Sequence, residues 1–241
     1  MGSGILFELL RSECFSVVAL VRPRPAGESS AKHGILADML GQGLSKDKVE
    51  EHLTVVCGIG EDGSIPDLSD ALSREGIKSI DHVISCFGGT FAKGTILSLS
   101  EEGLRDGVNR SMPHVRLMKS ISQYLHDNPC ASYLFITGML GERCHIPEVA
   151  GLTVSNSFLY GVILAFQAEC LQMGKTFRIN ELRIGSMLRR QGDASHPFMQ
   201  PSSSAYPSDL VGRKVIKIIR SNTDRKVIRI TDQELDVLSG K

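Results

Sequence analysis

Short apolar runs alternate with longer stretches in which apolar residues recur every three or four positions, a pattern that predicts strands alternating with helices. Residues 132–137 form the clearest strand, a run rich in β-formers that ends at Gly138. A loop follows through Gly141 to Gly151. Phe158, Leu159, Val162, Ile163 and Phe166 then recur at helical spacing, which predicts a long helix with one buried face. Residues 17–21, 53–57, 80–87, 177–184 and 226–231 predict further strands. Helices are expected over residues 35–40, 46–52, 68–74 and 208–220, the last with Ser208 as N-cap. A longer helical region covers residues 99–125, interrupted by Gly103, Gly107 and Pro113. Near the start, Ile5, Leu6, Leu9 and Leu10 suit one face of a helix. Residues 188–207, rich in Arg, Ser, Pro and Gln, predict a mobile loop, and the tail beyond residue 231 is polar.

The 241 residues suit one α/β domain with a full core. Lys+Arg and Asp+Glu both number 27, so no net field draws the chain to nucleic acid or to a membrane. The absence of Trp argues against a base-stacking surface. Six scattered cysteines without a Cys-x-x-Cys pair predict reduced, buried thiols in the cytosol. No run is uninterruptedly apolar over the length of a membrane span, and the N-terminus has no basic, cleavable leader. Cytoplasmic location is therefore the expectation. Met1-Gly2 invites N-myristoylation, but the downstream position wanted as Ser or Thr is apolar.

Candidate chemistry is sparse. Cys144-His145 has no second pair at ligand spacing, so no metal site is expected, and the seven histidines are expected on the surface. No nucleophile elbow, zinc-protease motif or Gly-Lys-Thr phosphate loop is present. Gly58-Ile-Gly60-Glu-Asp-Gly63 is a literal Gly-x-Gly-x-x-Gly after a strand. Glu61 and Asp62 would oppose a pyrophosphate, Pro66 disturbs the next helix start, and Asp81 precedes the following strand rather than ending it. A turn at the third strand is the better reading.

Other glycines fall into a recognisable frame. Gly2-Ser3-Gly4 leads into the first helix, and the strand 17–21 is followed by Arg22 and Arg24. Gly88 and Gly89 end the strand beginning at residue 80, Val108-Asn109 lies in the helical region, and Gly185 follows the strand 177–184. Together with the run from Ser155 to Gly161, these resemble the short-chain dehydrogenase/reductase family over nearly the whole chain. The resemblance implies an α/β fold, a Rossmann-like doubly wound parallel sheet in a single domain, and an NAD(P)-dependent oxidoreductase. It implies cofactor contacts at Gly2, Gly4, Arg22, Gly88, Gly89, Asn156 and Gly185, and a catalytic role for Asn109. That asparagine can equally relieve backbone strain at a helix kink. Arg22 sits where a 2′-phosphate would be bound, so NADP is the expected cofactor, with NAD the alternative.

The same alignment sets Leu152 against the family's tyrosine, Asn156 against its lysine, and Thr137 or Gly138 against its serine. Leucine moves no proton and neutral asparagine lowers no phenol's pKa. Tyr160 lies about 12 Å further along the helix and is expected in the core. Two functions therefore remain open: an oxidoreductase, or a non-catalytic nucleotide-binding or regulatory scaffold. Family members pair through two helices, which implies a homodimer using residues 104–125 and 152–169, with Gly161 and Ala165 permitting close approach and Phe158 and Phe166 as anchors. The family's first strand would precede Gly2. Its absence here implies a truncated chain, or residues 5–10 recruited as a strand.

Overall fold

The computed structural model describes residues 1–21, 31–57, 65, 68–88, 92–189 and 205–239. In chain order these form α1 (Gly2–Arg11), β1 (Val17–Val21), α2 (Ala31–Gly41), α3 (Lys46–His52), β2 (Leu53–Cys57), α4 (Leu68–Arg74), β3 (His82–Ser85), α5 (Glu101–Asn109) and α6 (Met112–Ile121). There follow β4 (Ser132–Gly138), α7 (Ala150–Gln172), β5 (Arg178–Ile184), β6 (Leu188–Arg189), β7 (Tyr206–Pro207), α8 (Asp209–Ile219), β8 (Val227–Ile230) and α9 (Asp232–Ser239). They cluster in two compact units. One comprises Met1–Ile77, Ser186–Arg220 and Asp232–Lys241, the other Lys78–Gly185 and Ser221–Thr231.

In the first unit β1 and β2 pair in parallel, from Val17 opposite Leu53 to Val21 opposite Cys57. Residues 5–10 are helical, as their spacing predicts, and are not recruited as a strand. Phe7 and Leu10 of α1 join Met39 and Val49 in a core against which Leu6, Ile35, Leu36 and Leu53 pack. The opposite side of α1 meets α8 backbone to backbone. A Cβ on Gly4 would collide with the Ser208 backbone, and one on Gly212 would lie 2.6 Å from the Gly4 carbonyl oxygen. This closeness also buries Glu8, which accepts from Arg11 at 2.8 Å and from Arg213 at 3.3 Å. The tail expected to be merely polar is the helix α9, held by Leu235 in the core and by the Tyr206 hydroxyl donating to Asp236 Oδ1 at 2.9 Å.

The second unit holds a parallel sheet in the order β3-β4-β5-β8. The inner strand β4 is buried along nearly its whole length, as an uninterrupted apolar run demands when both sheet faces are covered. Tyr133 and Phe135 stack at 4.4 Å, and Phe166 of α7 meets both edge-on. Phe166 is thus core rather than a free anchor. The long helical region divides at Arg110 and Ser111 into α5 and α6, with Pro113 in the first turn of α6, where its missing N–H costs nothing. Gly107 packs on α7 so closely that a Cβ would sit 2.7 Å from the Gly151 carbonyl oxygen. At the amino edge of the sheet, Asn180 donates to the Thr223 carbonyl and accepts from Lys226 N, which fixes the β5–β8 register.

Cys14, Cys86, Cys130, Cys144 and Cys170 are free thiols, but Cys14, Cys130 and Cys144 are exposed, contrary to the expectation of burial. Each lies in a turn or loop outside the apolar face of its neighbours.

Candidate functional site

In a parallel α/β sheet, ligands gather at the carboxyl ends of the strands. In the second unit those ends change character within two residues. The register sets Tyr133, Phe135 and Thr137 on one face with Ile179, Glu181 and Arg183, and the same face carries Val227 and Arg229 of β8. The lower layer is aromatic and the upper layer is charged.

Thr137 Oγ1 donates to Glu181 Oε1 at 2.7 Å. Arg183 forks onto the same carboxylate, Nε to Oε1 at 2.9 Å and Nη2 to Oε2 at 2.7 Å, and its Nη1 donates to Glu142 at 2.7 Å. Arg229 Nε closes the network on Glu142. Glu181 is 1 % exposed, and these hydrogen bonds satisfy its buried oxygens. Burial opposes the Arg183 charge, but hydrogen bonds to Glu181 and Glu142 outweigh it and raise the guanidinium pKa. Burial likewise opposes the charge of Glu142, and Arg229 and Arg183 nonetheless hold its pKa below the ordinary value.

The Arg183 guanidinium lies 3.5 Å from the Tyr160 ring centroid, a cation–π contact. Burial pushes the Tyr160 phenol up to about 12, with Arg183 drawing it down and Glu181 and Glu142 raising it. Its hydroxyl donates to the Gly138 carbonyl. The Gly138 N–H in turn donates to Asn156 Oδ1 at 2.7 Å, while Asn156 Nδ2 donates to the Leu152 carbonyl at 2.9 Å. A Cβ on Gly138 would sit 3.2 Å from both amide atoms of Asn156. One on Gly141 would meet the Tyr160 ring at 2.7 Å, so the short turn Met139–Gly141 rests directly on that ring.

A second polar cluster lies at the end of β3. Ser85 is fully buried and its Oγ is 2.7 Å from His114 Nδ1. The His114 ring also hydrogen-bonds the Phe87 backbone and meets the Phe87 ring edge-on at 5.0 Å. Burial lowers His114 to about 4, with the Phe87 bond opposing, so the imidazole is neutral at pH 7. This histidine is in the core, not on the surface, and the Ser85 hydroxyl and the Phe87 backbone give its ring hydrogen-bond partners there. No group of three metal-ligating side chains occurs among the described residues.

The sequence-derived positions fall as follows. Asn156 and Gly185 meet at the same turn, since Asn156 bonds Gly138 and a Cβ on Gly185 would lie 2.6 Å from Met139 Sδ. Gly88 is exposed with open space at its Cα, just past the Ser85–His114 pair. Asn109 is the last residue of α5 and is exposed. In the first unit Gly2 is open and exposed, whereas Gly4 is packed by Ser208. Arg22, Gly89 and the motif from Gly58 to Gly63 lie outside the described residues, as do 190–204 of the expected loop. Sequence reasoning missed Glu142, Glu181, Arg183, Arg229 and the Ser85–His114 pair. Two charges at alternate positions of a buried strand were the available signal for Glu181 and Arg183.

No protein-family profile matches the chain, and no curated protein matches it. Solved structures do. A dehydrogenase/reductase from Sinorhizobium meliloti 1021 superposes with a TM-score of 0.70 at 13 % identity, covering 95 % of this chain and 90 % of that one. A short-chain dehydrogenase from Burkholderia cenocepacia J2315 in complex with NADP gives 0.70 at 13 % identity, covering 95 % and 91 %. The enoyl-acyl-carrier-protein reductase of Plasmodium berghei with triclosan gives 0.68 at 16 % identity, covering 97 % and 92 %. The chain therefore has the α/β, Rossmann-like fold with parallel sheets that short-chain dehydrogenases/reductases share.

Proposed function

We propose that this protein is an NADP(H)-binding scaffold of the short-chain dehydrogenase/reductase type that does not carry out proton-coupled carbonyl reduction. The carrying observation is the state of Asn156. Its amide oxygen accepts from the Gly138 N–H and one of its two Nδ2 hydrogens goes to the Leu152 carbonyl, so it is a neutral group with no charge to hold a nicotinamide ribose or to tune a phenol. Leu152 beside it has no proton to give. Tyr160 stays protonated at neutral pH, and its hydroxyl is directed to the Gly138 carbonyl.

The rest of the fold is compatible with a dinucleotide. Taken unit by unit and among the described residues, Gly2 is open at the start of α1, whose first turn has no side-chain cap, and Gly88 is open past β3. A structural neighbour holds NADP. Arg22 and Arg24 supply the positive charge that favours a 2′-phosphate.

The test is NADPH fluorescence and absorbance followed together while a panel of aldehydes and ketones is added. Enhanced fluorescence with no loss of reduced nicotinamide supports the reading. Sustained oxidation would mean an active oxidoreductase with another proton donor.

We further propose a homodimer through the outer face of α7. Only 33 % of its most apolar stretch is buried, and the helix is long and apolar enough to cross a bilayer by length and composition alone. Gly161, Ala165 and Ala168 leave that face low between exposed Leu164 and Leu171. Light scattering should give twice the chain mass, and a monomer at micromolar concentration would refute it.

A further inference from the structure

We propose that His114 is a positioning residue for the nucleotide site, fixing the turn Cys86–Gly88 at the carboxyl end of β3 against which the dinucleotide lies. This rests on the dinucleotide reading above. It begins from α6, where Leu117 and Ile121 are buried and where His114 is the one buried residue that carries a titratable ring. A core histidine is retained against desolvation only when its nitrogens are satisfied.

Here both partners belong to one short segment. Ser85 Oγ and His114 Nδ1 share a hydrogen bond at 2.7 Å, and the same ring hydrogen-bonds the Phe87 backbone. The perpendicular Phe87 ring, 5.0 Å away at 87°, gives a third contact. Three contacts from one side chain therefore hold two alternate residues, and the residue after them is Gly88, open and exposed. Cys86 lies between the held residues. Its thiol is pushed up to about 11 by burial, although the residue as a whole keeps partial exposure.

The geometry supplies its own reporter. A thiol near 11 has about 100-fold less thiolate at mildly alkaline pH than one at the ordinary 9.0, so Cys86 should alkylate slowly while the turn is held. The experiment compares the parent, His114→Leu and His114→Gln for Cys86 alkylation, read by peptide mass spectrometry, and for NADPH affinity. His114→Leu keeps volume and loses both hydrogen bonds, while His114→Gln keeps a donor and an acceptor.

The expected result is alkylation faster by about 10- to 100-fold and NADPH binding weaker by about 10-fold in His114→Leu, with most of both restored in His114→Gln. A histidine that only fills the core would move neither readout in His114→Leu, which keeps that volume. If His114→Leu fails to fold, Ser85→Ala removes one of the two bonds and should give the same pair of changes at smaller size. Unchanged Cys86 reactivity and unchanged NADPH affinity in a folded variant overturn the proposal. A parent that binds no NADPH overturns the dinucleotide reading instead, and the Cys86 rates then still show whether His114 holds the turn.

Discussion

Replacing His114 by glutamine should flatten the response of this protein to mild acid. The imidazole titrates near 6.5 in an unfolded chain and is lowered to about 4 in the fold, chiefly by burial. The folded value is the depressed one, so the stability it contributes is complete above the unfolded value and is lost as pH falls through the folded value. The full window of about 2.5 pH units corresponds to about 3 kcal/mol, of which about 2 kcal/mol goes between about pH 7 and about pH 5. The ring is 3 % exposed, so solvent screening does not reduce this materially. His82, also lowered by burial, titrates in the same direction but is common to both proteins and cancels in the comparison. The assay is urea unfolding of parent and His114→Gln at the two pH values. The parent should lose about 2 kcal/mol more than the variant on acidification. Equal losses would refute a buried, neutral His114, whatever the absolute stability of the variant.

Three further outcomes follow from the packing. Glu181→Gln leaves Arg183 without its forked partner in a site where both side chains are largely buried, and should cost about 3 kcal/mol in urea unfolding; a cost below about 1 kcal/mol would mean the pair is solvated. Gly212→Ala puts a methyl group 2.6 Å from the Gly4 carbonyl oxygen, so it should destabilise by about 1 to 3 kcal/mol in thermal melts, whereas an unchanged melt would deny the α1–α8 contact. Leu152→Tyr or Asn156→Lys alone should restore little carbonyl reduction. The double variant should restore more, and a further Gly138→Ser should help only with Asn156→Lys, because a Cβ at residue 138 crowds the Asn156 amide. Steady-state NADPH oxidation decides this, and robust turnover by either single variant would break the coupling.

Much of the fold was legible because the elements announce themselves locally. β4 is a bounded run of β-formers, and α3, α4 and α8 carry helical spacing with a stop or cap where the structure ends them. The helix α9 was missed although Asp232 and Glu234 mark its first turn, because eight residues with one buried leucine give little periodicity. Gly103 and Gly107 read as interruptions, yet Gly107 serves a close approach to Gly151, which no local pattern reveals. The charged layer was hidden for the same reason. Strand alternation places Glu181 and Arg183 on one face, but Glu142 arrives from a turn 41 residues away from Arg183 and Arg229 from another strand. Ser85 and His114 are 29 residues apart, and only the sheet order and the placement of α6 bring them together. The alignment that set Asn156 against a lysine said nothing of what its amide would do, which the bonds to Gly138 and Leu152 supply.

The most direct test of the central claim is calorimetric titration of the whole chain with NADPH and, separately, with NADH. A scaffold of the proposed kind should release binding heat with NADPH and bind it more tightly than NADH, since the proposal assigns the 2′-phosphate to the positive charge of Arg22 and Arg24. No heat with either nucleotide, or equal affinity for both, would contradict the account.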